Sequence, residues 1–184
     1  MQTLETLVHE HQVIERGLAV LQAVAGRVQK GEEISTERVR ELLQFFQVFA
    51  DKCHHAKEEG VLFPAIEERG IPRDGGPIGV MLYEHDRGRG YVREMIDALP
   101  RLGEDAAAKE QFLSGANHFV SLLSEHIFKE NNVLFRMAES VLSDEDDKRL
   151  MEQFERHERE VIGEGEHERF HRFIHELEHE LQGK

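Results

Sequence analysis

Four histidines of this sequence fall on the apolar strips of amphipathic helices, and two of them are followed one helical turn later by a glutamate. His11 lies between Leu7 and Ile14, and His85 is in line with Ile78, Met81, Leu82, Val92 and Ile96. His126 and Glu130 continue the strip of Phe112, Phe119, Leu122 and Leu123 toward Val133 and Met137. On the helix between them, His55 and Glu59 sit beside Val48, Leu62 and Ile66, while the same wheel turns His54 and Glu58 toward the polar side. Imidazoles and carboxylates buried without partners would cost several kcal/mol for each ionised group, and a bound cation removes that cost. His-x-x-x-Glu stacks two donors on one helical face. Two such motifs supply two carboxylates that can bridge a pair of cations, with imidazoles at the outer positions. Nitrogen and oxygen donors without thiolate suit iron or manganese, and zinc less specifically.

Long helices must position these groups. The chain has 184 residues with only four prolines, and its stretches of Glu, Leu, Arg, Gln and Ala lack period-2 alternation. An all-α fold is expected. The first helix repeats apolar residues from Leu4 to Val28 and stops at Gly31; Ser35 and Thr36 open a second that runs to about Glu68. Arg69 to Pro77, with three glycines and two prolines, is a linker. A third helix spans about Ile78 to Leu99 and a fourth about Asp105 to Leu142, after which Ser143-Asp144 caps a fifth. Gly163 and Gly165 interrupt it, and a last amphipathic stretch runs from Glu166 to Leu181. The expected architecture is an antiparallel up-down four-helix bundle over residues 1–142, with residues 143–184 as a helical extension packed on it.

An internal repeat supports this layout. His55 to Phe63 is echoed by His126 to Phe135 when one residue is allowed to slip, and each copy follows a helix containing Glu-His, at Glu10-His11 and Glu84-His85. A duplicated hairpin brings equivalent histidines together near a pseudo-twofold axis.

This set, Glu10-His11, His55-x-x-x-Glu59 before Val61-Leu62-Phe63, Glu84-His85, and His126-x-x-x-Glu130 before Val133-Leu134-Phe135, resembles the hemerythrin-like, or HHE cation-binding, family. The resemblance implies a bundle holding two non-haem irons with an oxo or hydroxo bridge. It implies His11, His55, Glu59, His85, His126 and Glu130 as ligands, with Glu59 and Glu130 bridging. It also implies O2, NO or peroxide as the small ligand, or a part in iron and redox homeostasis. One departure stands out. Oxygen-carrying members place a second histidine one turn after that of helix three, where this chain has Arg89. A ligand set with one histidine fewer favours redox chemistry at an open position over simple carriage.

The tail is expected to supply a further donor. Its strip of Phe170, Ile174, Leu177 and Leu181, extended back one turn, lands on His167; His157 is a second candidate of this kind, while His9, His118, His175 and His179 read as solvent-facing. His167-Glu168-Arg169-Phe170-His171 also matches the His-Glu-x-x-His pattern of zinc hydrolases, in a segment so rich in Glu and His that chance matches are easy. Glu-x-x-His pairs such as Glu164 to His167 are confined to this tail rather than placed on two bundle helices. An alternative reading makes the last helix a regulatory element that responds to metal or redox state.

Lys+Arg of 23 against Asp+Glu of 37 gives a net charge of -14 without a basic patch, which argues against nucleic acid and anionic membrane as partners. No apolar run approaches a membrane span. The first ten residues lack the basic and apolar regions of a secretory signal, and the single Cys53, read as a buried small hydrophobe, fits a reducing compartment, so a cytoplasmic location is expected.

Overall fold

The computed structural model describes residues 1–163 and 165–182; Glu164, Gly183 and Lys184 of the expected extension lie outside the described residues. Among the described residues the fold is helical throughout, with no strand. We number six helices: α1 (Gln2–Lys30), α2 (residues 36–68), α3 (Pro77–Ala98), α4 (residues 106–141), α5 (residues 144–162) and α6 (Glu166–Gln182).

Local chemistry sets the boundaries. Gly31 adopts φ 73°, the left-handed conformation that closes α1 without a Cβ penalty. Ser35 and Asp105 cap α2 and α4 by accepting from Arg38 N and Ala107 N, and Ser143 with Asp146 forms a reciprocal capping box on α5. α2 and α4 are continuous but not uniform. Wide turns of the i→i+5 type occupy Phe46–His55 and Glu58–Leu62 in α2, Glu130–Leu134 in α4, and Glu158–Ile162 at the end of α5.

Two apolar clusters divide the interior. One contains Leu21, Leu42, Phe45, Phe112 and Ala116; the other contains Leu7, Phe63, Ile78, Phe135 and Phe154. Along α1 the second cluster comes first, then His11, then the first cluster; α2 runs through them in the opposite order, α3 repeats the order of α1, and α4 that of α2. The histidines and glutamates therefore form a polar layer between two apolar layers. α3 packs along α4, and α1 contacts both α4 and α6. Where α1 meets α2 the helices approach so closely that a Cβ on Gly17 would stand 2.5 Å from the Phe45 ring.

The extension shares these cores. Phe170, Ile174 and Leu177 of α6 join the first cluster, and Leu150 and Phe154 of α5 join the second. Each fully buried apolar side chain of this size contributes roughly 1.5–3 kcal/mol. Cys53 is buried, and burial first of all pushes its thiol up to about 12, so it is a packed hydrophobe rather than a nucleophile.

Candidate metal centre

The polar layer contains two groups of buried donors. His55, Glu58, His85 and His126 form one; His11, His54, Glu58 and Glu130 form the other, and within each group one ligand atom per residue lies within 4.8 Å of the rest. Glu58 belongs to both. Its Oε1 lies 3.5 Å from His54 Nε2 and its Oε2 3.5 Å from His85 Nε2, one oxygen toward each group. Glu130 also faces both, with Oε2 3.1 Å from His11 Nε2 and 3.2 Å from His126 Nε2, and Oε1 4.0 Å from His85 Nε2.

Five of the seven predicted ligands, His11, His55, His85, His126 and Glu130, come together here. Glu59 does not. Its carboxylate lies at the rim, 29% exposed, where it accepts from His85 Nδ1 at 2.7 Å and from Arg89 Nη2 at 2.6 Å. The inward carboxylate is Glu58 and a fifth inward histidine is His54, both of which the helical wheel turned to the polar side. A wheel at 3.6 residues per turn loses phase in α2 because the two wide turns contain these residues. The sequence did carry the correct register. Aligned without a slip, His54-x-x-Lys57-Glu58-x-x-Val61-Leu62-Phe63 matches His126-x-x-Lys129-Glu130-x-x-Val133-Leu134-Phe135, and both wide turns begin at the glutamate. Pro64, which removes an amide donor from α2, is not the shared cause, since α4 makes the same turn with Arg136 in its place.

His167 also stands outside both groups. Its Nε2 is 3.7 Å from Glu10 Oε1, beside the centre rather than in it. His157 donates from Nε2 to the Lys52 carbonyl oxygen at 2.8 Å.

A second ring of groups repeats with the same pseudo-symmetry. Glu10 accepts from His54 Nδ1 at 2.9 Å and from Lys57 Nζ at 2.5 Å; Glu84 accepts from His126 Nδ1 at 3.0 Å and from Lys129 Nζ. Asn131 Oδ1 lies 2.8 Å from His11 Nδ1, in the place that Glu59 takes for His85. Each acceptor holds a proton on Nδ1 and turns Nε2 toward the centre, the arrangement that fixes metal-ligating imidazoles.

His85 Nε2 and His126 Nε2 lie 3.0 Å apart and partner each other, whereas most of the other inner atoms lack partners. His11 Nε2, His54 Nε2, both nitrogens of His55 and both oxygens of Glu58 and of Glu130 are buried without a hydrogen bond. Burial pushes Glu58 well above the usual carboxylate range, and the nearby charges of Glu130 and Glu10 add to this. Burial acts against Glu130 and His126 as charged groups, yet their mutual attraction prevails: Glu130 stays well below its ordinary value and His126 rises to about 9. Burial and the neighbouring His11 bring His54 down to about 3. Converging lone pairs and unpartnered carboxylate oxygens fit divalent or trivalent cations.

A cavity of about 220 Å³ reaches the layer at His55, with walls from Phe46, Ala50, Val92 and Phe119. Arg89 also lines it, donating from Nε to Asp51 Oδ1 at 2.8 Å as well as to Glu59. Arg89 thus ties Asp51 to Glu59 at the edge of the layer.

Comparison with known proteins places the layer in a family context. A family model for the hemerythrin HHE cation binding domain matches residues 2–138. Curated relatives named "Iron-sulfur cluster repair protein YtfE", from Dickeya chrysanthemi (strain Ech1591) and Yersinia pestis (strain Pestoides F), are each 36% identical over 92 residues, covering 46% of this chain and 40% of the relative. The match therefore spans well under half the length of those proteins.

Proposed function

The chain belongs to the hemerythrin HHE cation-binding family, and on that premise we propose that its two donor groups hold a pair of non-haem irons that reacts with O2, NO or peroxide in iron or redox homeostasis. Glu58 carries this reading, because it offers one oxygen to each group. When bound, the metal pair supplies electron exchange with a small oxidant. The chain's own residues do the rest. Glu10, Glu84, Asn131 and Glu59 hold Nδ1 of the imidazoles, Glu58 and Glu130 would serve both donor groups, and the cavity beside His55 admits a ligand of a few atoms between apolar side chains and the polar Asp51, Arg89 and Arg93. Manganese or zinc can substitute on chemical grounds.

The alternating order of the apolar layers from α1 to α4 supports an antiparallel up-down bundle over residues 1–142, with residues 143–184 as an extension. No described helix is long and apolar enough to cross a membrane. The relatives' names point to iron-sulfur cluster repair, and we extend to this chain the handling of iron through the segment they share.

Anaerobic reconstitution of the purified protein with Fe(II), followed by metal analysis and oxidation, tests this reading. The expected result is two irons per chain and a visible ferric absorption that responds to oxygen, NO or peroxide. A folded protein that takes up no iron overturns it.

A further inference from the structure

The last helix carries histidines that the buried centre does not use. His167, His171, His175 and His179 follow one another at a strict four-residue spacing along α6. Four residues advance an α-helix by slightly more than one turn, so such a series winds slowly round the helix. At its start His167 lies against Glu10, and at its end His175 and His179 are exposed.

The spacing also pairs the rings. His175 and His179 have centroids 4.5 Å apart, with their Nε2 atoms 3.3 Å from each other. Two metal–nitrogen bonds of about 2.0–2.1 Å at a tetrahedral angle place their nitrogens roughly 3.3–3.4 Å apart, so this pair already has a chelating bite. His167 and His171 have centroids 4.7 Å apart, and His9 of α1 stacks on His171 at 5.6 Å. His171 Nε2 is buried and has no hydrogen-bond partner. Glu10, next to His167, holds Nδ1 of His54, whose Nε2 faces the buried centre.

We propose that α6 is a histidine ladder that binds divalent first-row transition cations at two exchangeable sites, His175–His179 at the surface and His167–His171 beside Glu10, and passes them toward the buried donors. Neutral imidazole pairs suit such cations, and water completes the coordination at positions open to solvent. Two glutamates beside the surface pair hold the helix in place. Glu178 accepts from Arg16 at 2.5 Å, and Glu180 accepts from Arg38, which fastens α6 to α1 and α2. The binding of cations by the ladder is independent of what the buried centre does; the delivery role rests on the proposed iron site.

Zinc titrated into the full chain with its buried centre already loaded with iron tests the sites. Wild type is expected to bind up to two further zinc ions with no loss of iron, H175Q/H179Q to lose the surface ion, and H167Q/H171Q to lose the other. No zinc uptake beyond the iron content, or equal uptake by the variant lacking all four histidines, overturns the proposal. Stopped-flow loading of the metal-free protein with Fe(II) tests delivery: H175Q/H179Q is expected to load severalfold more slowly and reach the same final iron content. An unchanged rate overturns delivery. His175 and His179 are exposed, and far-UV circular dichroism verifies that the variant folds.

Discussion

At the scale of single residues, adjacent glutamates in one helix do different work. Glu58 is fully buried between the donor groups, whereas Glu59 ties Arg89 to His85 at the rim. Substitutions separate the two roles. Glu58→Gln removes a carboxylate that can give an anionic oxygen to each group once a cation binds, and is expected to lower bound iron to about half or less of the wild-type content. Glu59→Gln keeps the inner donors and replaces the charged acceptor behind the His85 imidazole by a neutral one, so two irons are expected to remain at saturation while affinity falls by roughly 10–100-fold. Competition with a chelator of known affinity measures both. If Glu59→Gln loses iron at saturation and Glu58→Gln does not, the register assigned to α2 is wrong.

At the scale of elements, α5 acts as a cap for its neighbours. α1 begins without a side-chain cap of its own, and Asp147 of α5 accepts from Gln2 N at 2.9 Å and Thr3 N at 3.0 Å. Asp147→Ala is therefore expected to cost about 0.5–2 kcal/mol, read as a lower midpoint in urea unfolding. Asp146 accepts from Arg69 Nη2 at 2.9 Å, joining the end of α2 to α5, and its pKa is held to about 2 by the Ser143 backbone and hydroxyl and by Arg69, against an ordinary 3.8. Its folded-state pKa is the lower one, so its contribution is complete above 3.8 and is lost as pH falls through about 2. Pepsin cleavage within α5 is expected to rise between pH 4 and 2; cleavage that is flat across this range would contradict a role for Asp146. The element boundaries were legible in the sequence because Gly31, Ser35, Asp105 and Ser143 act locally. His11, His85, His126 and Glu130 were legible for the same reason: the periodicity of α1, α3 and α4 holds up to each of them. Glu58 and His54 were not, because the wide turns of α2 break the period on which a wheel depends. Only the comparison of α2 with α4 restores the register, through the repeated lysine and Val-Leu-Phe.

At the scale of the whole molecule, charge and donors act together. The -14 net charge surrounds a layer of buried nitrogen and oxygen donors, and the histidines of α6 lie between that surface and Glu10. A field of this sign raises the local concentration of divalent cations and speeds their encounter, and its reach shortens from about 30 Å at 0.01 M salt to about 10 Å at 0.1 M. The surface carboxylates act at that range, whereas the buried carboxylates are screened far less. Added salt is therefore expected to slow Fe(II) loading several-fold across this range while leaving the final iron content unchanged. Stopped-flow loading in a non-coordinating salt measures the effect. A rate independent of salt would mean that cations reach the layer without help from the surface charge, and that chelation by histidine alone sets the pace.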